Sequence, residues 1–230
     1  MKLLILADTH ANLEALNAIR EDYDKMLFLG DVVDYGPSPQ ECIEFVKNHA
    51  YKIVRGNHDN AVAFRVDCRC GYKYKHLSIA TREYMWKVLD EEEIGFLKKM
   101  PLEERFKLGG YEFYMTHASP SDNLFKYITP ETGEEELKGE IAGIGADFIL
   151  LGHSHLPMIK KIEGKTVINP GSIGQPRDGI AKVSYAVIEE GGVEIRRVEY
   201  DLEKTVQRLK ETGMERGIVD ELGQILRRGR

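Results

Sequence analysis

Short apolar runs punctuate the chain at residues 3–7, 26–29, 51–54, 111–116 and 147–151. Several lack the polar alternation of a half-exposed strand, so they read as strands buried on both faces and covered by helices. Between them, Leu13, Leu16 and Ile19 fall on one helical stripe. Ser38-Pro39-Gln40-Glu41 has the form of a capping box with proline at the first helical position, which predicts a helix to about Lys47. Residues 76–89 read as another helix. Asp90, followed by three glutamates, opens one that stops before Pro101. Gly109-Gly110, Gly164-Lys165 and Gly191-Gly192 predict hairpin turns. Residues 201–209 predict a helix at the end of the sheet, and residues 214–230 a basic-ended helix. The first half therefore reads β-α-β-α-β and the second half is richer in hairpins, an α/β pattern.

Of 230 residues, 42% are apolar and 30% charged, and 38 acidic against 32 basic side chains leave a net charge of −6. A chain of this length buries roughly 70% of its unfolded surface. The acidic balance, without a lysine or arginine block, argues against duplex nucleic acid as a partner and leaves room for a small substrate. No apolar run approaches the ~18 residues of a membrane span. Asp8 and His10 cut short the apolar start, which reads as a strand and not a leader. The three cysteines, Cys42, Cys68 and Cys70, are too sparse for a disulfide framework and suit a reducing cytoplasm.

Candidate chemistry follows the strands. After the successive apolar runs come Asp8-Thr9-His10, Asp31, Asn57-His58-Asp59, His117 and His153-Ser154-His155. Ligands gather at the carboxyl ends of strands in open α/β sheets. Of seven histidines, only His49 and His76 lie outside these clusters. One such cluster reads as a satisfied polar pair; five, each behind a buried strand, read as a convergent site. Imidazole, carboxylate and amide oxygen together suit borderline divalent ions such as Mn, Fe, Co, Ni or Zn. Two ions ~3.5–4 Å apart need a shared ligand, and Asp31, alone at its strand end, is the natural bridge.

These five motifs, in this order, resemble the calcineurin-like metallophosphoesterase superfamily. Residues 30–37 (GDVVDYGP) and 169–178 (NPGSIGQPRD) are similar to its small single-domain prokaryotic phosphodiesterase branch. The resemblance implies a four-layer α-β-β-α sandwich of two mixed sheets flanked by helices. It places Asp8, His10 and His155 on one metal and Asn57, His117 and His153 on a second, with Asp31 bridging. His58 would act as general acid, Asp59 would orient its imidazole, and Arg177 would bind the phosphate. Two divalent ions, manganese first among them, are the implied cofactors. The activity implied is phosphodiester hydrolysis. Phosphomonoesterase or protein phosphatase activity, dinucleoside polyphosphate hydrolysis and a non-catalytic scaffold on the same fold are the alternatives. Residues 1–200 then form the catalytic domain, with a helical insert at about 61–100, and residues 201–230 a helical tail on the same domain. Cys68 and Cys70 belong to no motif of the family and lack the second pair of a structural zinc site. Tyr72, Tyr74 and Tyr84 read as packing residues of the insert.

Overall fold

In β1 (Lys2–Leu6), Leu3 and Ile5 point one way and Leu4 and Leu6 the other, and both sets are buried. That double burial sets the architecture. The computed structural model describes all 230 residues. The other strands are β2 (Lys25–Phe28), β3 (Ala50–Ile53), β4 (Glu103–Leu108), β5 (Tyr111–Thr116), β6 (Phe148–Leu150), β7 (Met158–Ile162), β8 (Lys165–Asn169), β9 (Val183–Glu189) and β10 (Gly192–Val198). One sheet runs β10-β9-β1-β2-β3 and the other β4-β5-β6-β8-β7. In the first, β1, β2 and β3 are parallel while β9 runs against β1. In the second, β5, β6 and β8 are parallel, with antiparallel edges β4 and β7.

Leu3, Ile5, Leu27 and Leu29 of one sheet meet Phe113, Met115, Phe148 and Leu150 of the other in a core between the sheets. The opposite face of the first sheet, with Leu4, Leu6, Met26 and Phe28, packs on helices α1 (Leu13–Asn17), α2 (Pro39–His49), α3 (Asn57–Phe64), α4 (Lys75–Val88) and α5 (Glu91–Lys99). The outer face of the second sheet covers Leu137 and Ile141 of α6 (Glu134–Ile141). The result is the four-layer α/β sandwich expected from the sequence. No helix is long and apolar enough to cross a membrane.

Local departures have local causes. Pro39 does open α2, but the Ser38 side chain makes no capping bond, and Glu41 is held instead by Arg208 at 2.5 Å. Asp90 and Glu93 do form a reciprocal capping box on α5. The tail forms α7 (Leu202–Glu211) and α8 (Arg216–Arg228). Their apolar faces, Val206, Leu209, Val219, Leu222, Ile225 and Leu226, close over Leu77 of α4 and Tyr35. Thr205 donates to Asn12 Oδ1 at 3.0 Å, which ties α7 to the loop after β1.

Candidate metal centre

The parallel strands of both sheets deliver their carboxyl ends to one edge, and backbone hydrogen bonds join the loops there. Asp8 N donates to Gly30 O, His10 N to Asp31 O, Gly152 N to His117 O and Gly174 N to Asp8 O, all at 2.7–3.0 Å. Asp8, His10, Asp31, His153 and His155 all have positive φ, between 47° and 66°. Left-handed backbone at non-glycine residues costs roughly 1–2 kcal/mol each, and five such residues in one place are stored strain that aims side chains. Gly56 has a different task. A Cβ there would strike the Asp31 side chain and backbone, so only glycine lets the start of α3 approach this closely.

Asp8, His10, Asp31 and His155 present donor atoms within 4.8 Å of one another, and so do Asp31, His117 and His153. Asp31 is common to both groups. The four imidazoles are oriented from behind. His10 Nδ1 donates to Val33 O at 3.0 Å, His117 Nδ1 to Leu29 O at 2.7 Å, His155 Nδ1 to Gln175 O at 2.6 Å and His153 Nε2 to Phe125 O at 3.2 Å. A carbonyl only accepts, so each outer nitrogen carries a proton, and in the neutral ring the inner nitrogen is the one left with a lone pair for a cation. Two such nitrogens, His10 Nε2 and His155 Nε2, face each other at 3.1 Å. Asn57 donates its amide to Cys68 O at 2.7 Å, which turns Oδ1 to within 3.0 Å of both His117 Nε2 and His153 Nδ1.

Both Asp8 oxygens and Asp31 Oδ2 are buried without a hydrogen-bond partner. Such orphaned acceptors are costly unless a cation completes them. The electrostatics agree. Burial pushes the Asp8 carboxyl up to about 8, against the pull of His117. Burial would also raise Asp31, but the His117 and His58 imidazoles outweigh it and hold its carboxyl well below the usual range. Asp31 in turn lifts His117 to about 9 against the cost of burial. Burial pushes His10 down to about 3 and holds His153 and His155 well below the ordinary histidine range.

Residues 1–191 match the calcineurin-like phosphoesterase superfamily domain. The chain belongs to that family. An uncharacterized protein of Methanocaldococcus jannaschii is 34% identical over 232 residues, which span 90% of this chain and 91% of the relative. A metallophosphoesterase crystal structure from Sphaerobacter thermophilus superposes with a TM-score of 0.82 at 29% identity, covering 100% of this chain and 99% of that one. A hypothetical protein from Pyrococcus horikoshii gives 0.84 at 25% identity, covering 96% and 97%. The phosphoesterase is therefore a metal-dependent hydrolase, and its inward lone pairs and unpartnered carboxylate oxygens fit divalent cations.

The residues beside the cluster correct part of the sequence reading. Asp59 does not orient His58. Asn57 begins α3, so Asp59 occupies the third helical position, and its carboxylate accepts from Gly56 N at 3.0 Å, Asp31 N at 2.7 Å and Val32 N at 2.8 Å. It fixes the Asp31 loop against the helix start. Asp34 takes the orienting place, with Oδ2 2.7 Å from His58 Nδ1. Its signal was present as the second acid of Gly-Asp-Val-Val-Asp. Burial opposes protonation of His58, but Asp31 and Asp34 more than offset it and raise the imidazole above its ordinary value. Arg177 does not pair with Asp178, which is held by Arg197. Its Nη2 donates to Gln175 Oε1 at 2.8 Å, its guanidinium lies 4.3 Å from the Tyr74 ring centroid, and Nε is buried without a partner. Tyr127 stacks on His153 at 3.9 Å between centroids, a contact from an irregular loop with no sequence signal. Tyr84 donates to Pro37 O at 3.0 Å and Tyr72 is 94% exposed, so neither lines the cluster.

Proposed function

We propose that the protein hydrolyses a small phosphodiester, using two divalent ions of the manganese class. Asp8, His10 and His155 hold one, Asn57, His117 and His153 hold the other, and Asp31 bridges. The observation that carries this reading is the sharing of Asp31 between two groups of inward-facing donors in which both Asp8 oxygens and Asp31 Oδ2 have no hydrogen-bond partner. When bound, such a pair would lower the pKa of a water towards about 7 and favour an in-line displacement.

The chain's own groups supply the rest. His58, held by Asp34 and raised towards its protonated form, donates a proton to the departing oxygen. A positioned acid of this kind is worth about 10²–10⁴ in rate. Arg177 brings a cation without a carboxylate partner to the phosphate side. Tyr74 beneath it and Tyr127 over His153 offer aromatic faces to the organic substituents of a diester. Residues 1–200 carry this chemistry as one domain, with residues 201–230 packed on it, in a reducing cytoplasm.

The charge balance supports a second reading. Four positive charges from two ions, less two carboxylates and one hydroxide, leave one, which suits a diester monoanion. Arg177 adds another, which suits a monoester dianion. The test is turnover of the purified enzyme, loaded in turn with Mn, Co, Ni, Fe or Zn, on alkyl diesters, alkyl monoesters and dinucleoside polyphosphates. Diesters turned over with the highest kcat/KM support the proposal, and a preference for monoesters overturns its substrate class.

A further inference from the structure

Cys68 and Cys70, to which the sequence assigns no role, lie beside the proton donor. The Cys68 and Cys70 sulfurs and a ring nitrogen of His58 are all within 4.8 Å of one another. Both thiols are free and buried, at 0% and 8% exposure. Arg69 between them has φ 51°, left-handed for a non-glycine residue. Ser78 Oγ lies 3.4 Å from one sulfur and 3.3 Å from the other. Arg82 donates to that hydroxyl at 3.2 Å and places its Nε 3.6 Å from Asp34 Oδ2. The Tyr35 hydroxyl is buried without a hydrogen-bond partner, and its ring centroid is 4.9 Å from that of His58.

We infer that His58, Cys68 and Cys70 form a separate sulfur-nitrogen site for one zinc-class cation, which takes His58 out of catalysis when it binds. The donor set decides the class. Two thiolates and an imidazole select Zn or its heavier analogue Cd over Mn, whereas the Asp8–His155 and Asn57–His153 groups hold no sulfur. Asp34 behind His58 completes a carboxylate–histidine–metal arrangement and leaves Nε2 to ligate. Zn–S bonds of ~2.3 Å and Zn–N bonds of ~2.1 Å require donors under about 4 Å apart, so a cluster whose donors lie within 4.8 Å of one another needs at most a small contraction. Three protein ligands leave a fourth position for water. A cation on Nε2 replaces the proton that His58 would give to the leaving oxygen. That inhibitory consequence rests on the proposed acid role of His58, and the sulfur ligation does not.

The test is a Cd²⁺ titration of reduced, Mn-loaded protein, read by the ultraviolet thiolate-to-cadmium charge-transfer band, by metal content and by turnover. The inference expects a band that saturates at one Cd per chain with Mn retained. Turnover of an alkyl phosphodiester should fall by about 10²–10⁴-fold, the share of a positioned acid. Cys42→Ser should keep the band, and Cys68→Ser/Cys70→Ser should lose it and resist inhibition. Should the double variant fold poorly, Cys70→Ser alone should weaken Cd binding, because it removes one sulfur near the rim. No band in the wild type, or a band surviving in the double variant, overturns the site. A band with turnover unchanged removes His58 from the ligand set. Failure of the acid role shows separately, as undiminished turnover of His58→Ala without Cd.

Discussion

Asp34 Oδ2 lies 2.7 Å from His58 Nδ1, although 24 residues separate the two. The pair occupies Nδ1 and favours the protonated ring, which leaves Nε2 as the nitrogen free to donate. His58→Ala should slow an alkyl or nucleoside ester by about 10²–10⁴-fold and a p-nitrophenyl ester much less, because p-nitrophenolate leaves without a proton. Asp34→Asn should give a milder version of the same dependence. Turnover of both variants on both substrates, with metal content measured, checks this. Equal losses on both substrates would assign His58 to charge stabilisation instead.

Asp59 should behave differently. Its carboxylate accepts from Gly56, Asp31 and Val32. Asp59→Asn sets an amide against these buried donors, and each one left unpaired costs about 1–3 kcal/mol. Thermal unfolding should show a lower Tm and dialysis a weaker hold on metal. The leaving-group dependence of turnover should stay as in the wild type.

Gly56→Ala places a methyl group against Asp31 and the backbone of the loop that carries it. The shift falls on the one ligand common to both donor groups. Metal retention should drop more than for Gly95→Ala, where a Cβ meets nothing within 4 Å. Equal retention in the two variants would contradict this account of the glycine.

Metal uptake should release protons. In the metal-free protein Asp8 is raised from 3.8 to about 8 and His117 from 6.5 to about 9. Groups raised on folding stabilise fully below their unfolded values, and that stabilisation disappears as pH rises through the folded ones. The metal-free Tm should therefore fall as pH climbs from the unfolded values towards the folded ones, most steeply between 6.5 and about 8 where both groups contribute, and level off above about 9, and the gain in Tm from added metal should widen over the same range. His10, lowered to about 3, acts in the opposite sense and weakens the fold as pH falls below 6.5. Calorimetry with and without chelator across this range measures both limbs. A metal-induced gain that narrows with rising pH would contradict the proton count.

The buried strands were legible because alternate residues such as Leu3 and Leu4 are apolar for two different cores, which leaves an uninterrupted run. The donors that meet were legible because each follows such a run. The role of Asp34 was not, because only the fold of the 31–35 loop against α3 reveals which acid faces His58. The start of α3 at Asn57 was hidden by Gly56, a capping residue without a side chain, and Asp59 was misread with it. The docking of α8 depends on Leu77 and Tyr35, residues remote in sequence, so its apolar stripe alone could not say what it covers.

The proposed pair of ions is joined by Asp31. Elemental analysis of purified protein after equilibration with Mn, paired with turnover before and after chelation, tests it most directly. The account predicts two ions per chain, hydrolysis abolished by chelator and restored by Mn, and loss of both ions in Asp31→Ala. Hydrolysis undiminished in a metal-free protein, or two ions retained in Asp31→Ala, would contradict it.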